Sequence, residues 1–262
     1  MVQSIPPDTT KTLKRDAERE KKWGQMLSSR EMWTKLRMKN LNVIRRRCHK
    51  GIPIAHRGKA WYTLIGAEQT RSKYPKDYYK KLLSEPSSND CCNQIDMDIN
   101  RCFRSHVLFM ARYSDGQSAL FNILKAYSIH DKEVGYCQGM CEIAALFLMF
   151  MPEENAFWTL VEFLNGQGYA MRAIFLPGFP ALHVSLHCHD ELIRMYLHKL
   201  YAKFQDQNIT SVMYATKWFI TLFIELIPFE FYVRVWDVIM FEGVEIVHTI
   251  AIRLLEHVQS KS

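Results

Sequence analysis

Apolar positions recur at helical spacing from about Leu64 to the end of the chain, and alternating β-branched runs bounded by tight-turn pairs are scarce. This pattern predicts an all-α protein. Ahead of it, from about Lys11 to Arg47, the chain is polar and helix-compatible, with Trp23, Met26, Met32, Trp33, Leu36 and Leu41 as positions able to dock on a body. Pro6-Pro7 predicts an extended start. Gly51-Ile52-Pro53 breaks the helical pattern and marks the expected start of a domain running from 51 to 262, after an arm spanning 1–50. Helices are then expected from Ile54 to about Gly66 and from Pro75 to Leu83, with a loop over 84–93 that carries Pro86 and Cys91-Cys92. Further helices are expected over Gln117–Tyr127 and, after a polar connection from Ser128 to Gly135, over the apolar run Tyr136–Met151. Pro152 ends that run and starts the next helix, Glu153 to about Leu164. Residues 169–182 read as irregular around Pro177-Gly178-Phe179-Pro180. Leu192–Gln205, Tyr214–Leu226, a short packed segment Phe231–Phe241 and Val244–His257 complete the helical reading.

Composition agrees with a sizeable buried core: 262 residues, 48% hydrophobic and 13% aromatic, allow one or two domains. Charge divides the chain. Residues 1–60 hold sixteen Lys and Arg against five Asp and Glu, whereas residues 61–262 hold eighteen against 22. The basic excess therefore belongs to the arm. The plain reading of that excess is a solvated, partly helical lead-in, and the sharper one is peripheral contact with an anionic membrane surface. No aromatic interleaving marks a base-stacking groove, which argues against nucleic acid. The seven cysteines are odd in number and irregularly spaced, and Met1-Val2-Gln3-Ser4 opens no signal-peptide apolar run, so reduced thiols in a cytoplasmic protein are expected. The most apolar stretch, Ile143–Met151, is shorter than the roughly 18 residues a bilayer span needs and reads as a core helix.

Candidate chemistry is sparse. Asp98 and Arg101 stand at i, i+3, so on a helix they share a face and can pair; an ordinary salt bridge is the plain reading of that spacing. Asp96 with Asp98 lacks the further acidic ligands of a metal site. His183 and His187 stand at i, i+4, but the glutamate of a His-Glu-x-x-His motif is missing, so a partly exposed helix is expected there. Arg57, close before Trp61, reads as an ion-pair partner in the core. There is no phosphate-binding Gly-x-x-x-x-Gly-Lys loop, no Gly-x-Ser-x-Gly elbow and no kinase signature. A chain with no site for a substrate of its own points toward action on another protein.

Six motifs in order converge on one family. Gly51-Ile52-Pro53 with Arg57-Gly58-x-x-Trp61, Ile95-x-x-Asp98-x-x-Arg101 and Tyr136-x-Gln138-Gly139-Met140 are followed by Ala156-Phe157-Trp158, Trp218-Phe219 and Arg234-Val235-Trp236-Asp237 before Glu242-Gly243. The chain resembles the TBC domain of GTPase-activating proteins for Rab GTPases, in the branch that includes the USP6 N-terminal-like and TBC1 domain family member 10 proteins. The resemblance implies a two-lobed, all-helical domain that is itself no enzyme but a GTPase activator in membrane trafficking. It implies that Arg101 is an arginine finger and Gln138 a glutamine finger, both entering the nucleotide site of a GTP-bound Rab. It also implies that Asp98 orients Arg101, that Tyr136 and Gly139 set the turn presenting Gln138, and that Arg57 and Trp61 maintain the fold, with Trp158, Trp218 and Trp236 in the core. No cofactor of its own is implied, since GTP and magnesium belong to the Rab; peripheral attachment to endomembranes is the matching location. The chemistry fits the residue types. A guanidinium has the planar donors and fixed charge to neutralise phosphate oxygens, and a carboxamide can both accept from water and donate to the γ-phosphate.

The chain departs from the family pattern at Cys102, where Thr is usual, at Arg104, where Pro is common, and at Cys141, where a small polar residue is usual. It also ends soon after the Val244–His257 helix, which implies a shorter C-terminal lobe than family members have. The alternative is a TBC-fold binding module or scaffold in membrane trafficking, with weak or no activity.

Overall fold

A computed structural model describes residues 9–169 and 171–259, with side chains from Lys14 onward; the extended start expected at Pro6-Pro7 lies outside the described residues. The regular structure of the described residues is all helix, with no strand. The basic arm forms α1 (Thr9–Met26), α2 (Arg30–Lys39) and α3 (Leu41–Lys50). α4 (Ile54–Ile65), α5 (Ala67–Arg71), α6 (Tyr78–Ser84) and α7 (Asn89–Ile99) follow. An irregular stretch leads to α8 (Asp115–His130), α9 (Met140–Leu148) and α10 (Glu153–Asn165). Then come α11 (Arg172–Phe175), α12 (Pro180–Tyr196), α13 (His198–Asp206), α14 (Ser211–Tyr214), α15 (Thr216–Thr221), α16 (Phe229–Glu242) and α17 (Ile246–Gln259).

Packing sorts these helices into two groups. α1–α10 pack among themselves and against α16, while α12 is the hub against which α11, α13, α14, α15 and α17 pack. The groups meet where α15 touches α9 and α17 touches α16. α9 lies at the centre of the first group, and seven of its nine residues, including Met140, Ile143 and Phe147, are buried. Its Phe147 ring meets Trp61 of α4 at 6.2 Å, Phe163 of α10 at 5.7 Å and Trp236 of α16 at 5.5 Å. Edge-on contacts at such distances stabilise beyond the area they bury.

The arm joins this core. Trp23 and Ile44 are wholly buried, as are Met26, Leu27, Trp33 and Cys48 to within a few per cent. Of the six expected docking positions, Met32 and Leu41 instead face solvent. α3 runs along α16, where Arg45 and His49 bind the Glu242 carboxylate and Arg234 donates to the carbonyls of His49 and Lys50.

One carboxylate ties the domain opening to α16. Asp237, fully buried, accepts from Ile52 N–H at 2.8 Å, Trp61 Nε1 at 2.9 Å and Arg57 Nε at 3.1 Å. Arg57 is thus the buried ion-pair partner its position before Trp61 suggests. Gly58 is needed beside it because a Cβ there would overlap the Phe150 carbonyl where α4 crosses the end of α9.

Several expected boundaries move. The 84–93 loop ends early, because Ser88 caps α7 by accepting from Cys91 N–H at 3.2 Å, so Cys91 and Cys92 lie in a helix. The run expected to be helical from Tyr136 becomes helix only at Met140. Leu192–Gln205 is split at Leu197, the cap shared by α12 and α13. Tyr214–Leu226 gives only the short α15, because Leu222 and Phe223 take left-handed backbone angles of +50° and +67°. Trp158 and Trp236 are core residues as expected, whereas Trp218 is half-buried. His183 and His187 lie exposed on α12, and the neighbouring His189 points inward, where burial pushes its imidazole down to about 4.

Candidate functional site

The site is assembled on the Asp98 carboxylate. Asp98 is in the last turn of α7 and only 3% exposed. Its Oδ1 accepts from Arg101 Nε at 3.0 Å and Nη2 at 2.7 Å, and its Oδ2 accepts from the Tyr136 hydroxyl at 2.6 Å. Gln94 Nε2 lies at 3.5 Å from both oxygens. Asp98 and Tyr136 are 38 residues apart in sequence, so one carboxylate joins the arginine and glutamine motifs. Short bonds to an ionised acceptor are the strong kind, and they fix both partners.

Arg101 sits just past the end of α7, where its N–H bonds back to the Asp98 carbonyl at 3.1 Å. Its side chain is 53% exposed. Two of its nitrogens hold Asp98, and Nη1 has no hydrogen-bond partner among the described residues. The bonds to Asp98 push the guanidinium further up from an already high value, so it carries a fixed charge. Burial, the nearby Cys141 thiol and the Asp98 bond all push the Tyr136 phenol up, which keeps it a neutral donor.

Gln138 stands on the turn between Tyr136 and α9, exposed, in a segment whose neighbours on both sides are held. Gly139 next to it takes φ +105°, and a Cβ there would overlap Ile220 of α15. An L side chain at this point would be strained twice, by backbone angle and by contact. That left-handed glycine, rather than the apolar run, sets where α9 begins, and it leaves Gln138 on a turn instead of in a helix.

Cys102 and Cys141, the departures flanking the two motifs, are buried at 3% and 1% and lie near each other beneath the surface. Both belong to the buried core beneath the two motifs. Glu142, half-buried in the first turn of α9, is pushed up by burial.

Asp98, Arg101 and Tyr136 therefore come together, and Gln138 and Gly139 lie on the turn that follows Tyr136. Arg57 and Trp61 do not join them; both bind Asp237 in the core. Sequence spacing reveals the Asp98–Arg101 pair, but not the Tyr136–Asp98 bond or the facing of Cys102 and Cys141. The Ser88 cap was the available signal for the start of α7, a Ser just ahead of an Asn-Asp helix start. Among the described residues no group of acidic, His or Cys side chains is arranged to hold a metal, and no helix is long and apolar enough to cross a membrane.

Comparisons with known proteins identify the family. The family model of the Rab-GTPase-TBC domain matches residues 54–261. The human "Ecotropic viral integration site 5 protein homolog" is 37% identical over 91% of this chain and 28% of its own length. The "TBC1 domain family member whacked" of Drosophila melanogaster is 34% identical over 90% of this chain and 63% of its own. Mouse "TBC1 domain family member 10A" is 34% identical over 92% and 47%, in line with the branch expected from the motifs. The chain thus spans less than two thirds of each of these relatives. Among solved structures, the Chlamydomonas flagellar RabGAP TBC domain superposes with a TM-score of 0.76 at 26% identity, covering 98% of this chain and 85% of that one. The Ypt/Rab-GAP domain of Gyp1p, 20% identical with a TM-score of 0.70, shares the fold. With that match over most of its length, the chain belongs to the Rab-GTPase-TBC domain family.

Proposed function

We propose that this chain is a GTPase-activating protein for a Rab-family GTPase in its GTP state, and that Arg101 and Gln138 act in trans on the bound nucleotide. The observation that carries this reading is the Asp98 carboxylate, which binds Arg101 and Tyr136 together and so joins the segment that carries a half-exposed guanidinium to the segment that carries an exposed carboxamide. Arg101 neutralises the charge that develops on the transferring phosphoryl oxygens, and Gln138 orients the attacking water. GTP and Mg²⁺ are the partner's, and this chain brings no cofactor.

Transition-state capture tests the pair. The chain should bind a cognate Rab carrying GDP and aluminium fluoride at least about 100-fold more tightly than the same Rab carrying GDP. Gln138→Ala should remove most of that preference without changing helical content. Equal affinity for the two nucleotide states, unchanged by Gln138→Ala, would instead assign the chain to the scaffold reading.

The arm supports peripheral membrane contact as part of this function. Lys35 and Lys39 share a face of α2 with Met38, which is 82% exposed, and Arg46 is exposed on α3. Leu41 and Glu242 line one cavity, so the start of α3 lies at the C-terminal end of α16, whereas Phe103, two residues past Arg101, meets Tyr232 in its first turns. The start of α3 and the Asp98 site thus lie toward opposite ends of a helix about 20 Å long, and a lipid surface on the α2–α3 corner leaves Arg101 free. Each basic residue near an anionic bilayer contributes about 1 kcal/mol. Co-sedimentation with phosphatidylserine vesicles should exceed that with neutral vesicles and fall by about tenfold or more in Lys35→Glu/Lys39→Glu/Arg46→Glu. Equal binding by wild type and triple variant removes the membrane contact.

A further inference from the structure

The segment that carries Gln138 is gripped by an arginine from the second group of helices. Asp131 follows the last residue of α8 and closes the turn ahead of Tyr136 in two ways. Its carbonyl accepts from Gly135 N–H at 2.8 Å, and its Oδ1 accepts from Val134 N–H at 3.3 Å. The side chain is itself largely buried and is gripped by Arg172, the first residue of α11: Nε meets Oδ2 at 2.6 Å and Nη2 meets Oδ1 at 2.9 Å. The same Nη2 reaches Glu133 Oε2 at 2.6 Å, inside the turn. At the other end of α11, the Phe175 ring comes up to Gly139. α11 therefore touches the 131–139 segment before and after Gln138.

Side-on pairing of a guanidinium with both oxygens of one carboxylate fixes direction as well as distance. Burial acts to raise the Asp131 carboxyl, but the Arg172 bonds and the Val134 N–H outweigh it and hold it below its ordinary range. The pair is ionised at neutral pH. Tyr136 is the second anchor of the segment, through Asp98. Gln138 makes no such bond of its own among the described residues, so its direction is inherited from the turn before it and the glycine after it.

We propose that Arg172 is a positioning residue for Gln138: by clamping Asp131 and Glu133 it fixes the turn from which the carboxamide is presented to the partner's nucleotide. This rests on the reading of Gln138 as a residue acting on that nucleotide. A displacement of about 1 Å in a catalytic group can cost roughly 100-fold in rate, so a clamp at this distance along the chain has a measurable effect. The second group of helices, which supplies no residue to the Asp98 carboxylate, thereby contributes to the site.

The test is a double-mutant cycle in single-turnover GTP hydrolysis, joined to amide exchange on the free chain. Arg172→Ala should lower the maximal accelerated rate by about 10- to 100-fold, with the half-saturating concentration of the chain changed by less than about threefold. In a Gln138→Ala background the same change should have almost no further effect, because the residue it positions is gone. Arg172→Lys keeps the charge without the fork and should fall between. In the free chain, Arg172→Ala should speed exchange of the Val134 and Gly135 amides by about tenfold or more and leave those of α16 unchanged. Equal losses in the wild-type and Gln138→Ala backgrounds, or unaltered Val134 and Gly135 exchange, would overturn the proposal. A wild-type chain that accelerates no Rab would count against the proposed function, while the exchange arm, which needs no partner, still decides whether Arg172 holds the turn.

Discussion

Arg101→Lys should abolish acceleration of GTP hydrolysis almost as fully as Arg101→Ala. An arginine supplied in trans contributes about 10³ to 10⁵ in rate, roughly 4–7 kcal/mol of barrier. Charge alone is not what it supplies. In the free chain Nε and Nη2 are engaged by Asp98, while Nη1 has no partner among the described residues. The guanidinium can keep one edge on Asp98 and turn its remaining donors toward phosphate oxygens. A lysine ammonium is a point charge without that fork, and cannot be oriented by Asp98 and reach outward in the same way. Lysine should therefore recover no more than about tenfold over alanine. The fold should tolerate both changes, since Arg101 is itself half-exposed and the buried Asp98 carboxylate keeps the Tyr136 hydroxyl as a donor. Rates measured at saturating chain, alongside melting curves, separate the two effects: a large rate loss with a Tm within a few degrees of wild type is the expected outcome.

Asp237→Ala should have the largest effect on stability, with activity lost only as a consequence of unfolding. The carboxylate has no solvent exposure and accepts from Arg57, Trp61 and the Ile52 N–H. Removing it leaves a buried guanidinium with only the Ile52 carbonyl to accept from it, and an indole N–H and a backbone N–H without an acceptor. Breaking a buried pair from one side costs about 3–5 kcal/mol, which for a domain of this size lowers Tm by roughly 10 °C or more. Arg57→Leu combined with Asp237→Leu should lose less than the two single changes added together, because no unpaired charge remains. Chemical denaturation of the four proteins checks this. Additive losses would mean that Arg57 and Asp237 stabilise the fold independently.

How much of this was legible in the sequence differs residue by residue. The helical class followed from periodicity, and Asp98–Arg101 from i, i+3 spacing. Arg101 and Gln138 acquired a shared role only from the ordered motifs, since spacing alone left one as a salt-bridge partner and the other unremarkable. Their meeting point was out of reach because it depends on a contact between Asp98 and Tyr136 that only tertiary packing brings about. The apolar run from Tyr136 hid a local event: periodicity is insensitive to a backbone angle, and the +105° at Gly139 holds the helix back to Met140. The same blindness joined Tyr214 to Leu226, across the left-handed Leu222 and Phe223. Arg172 and Asp131 carried no motif at all. Each is an ordinary charged residue in its own segment, and the role of the pair exists only where α11 packs against the end of α8.

The most direct test of the account is single-turnover GTP hydrolysis by a panel of purified Rab GTPases, with and without a folded sample of this chain. At least one Rab should be accelerated by about 10³-fold or more at saturating chain, with Arg101→Ala removing this acceleration and Gln138→Ala most of it, while both retain wild-type helical content. A folded wild-type chain that accelerates no Rab in the panel, or an acceleration that survives Arg101→Ala, would contradict it.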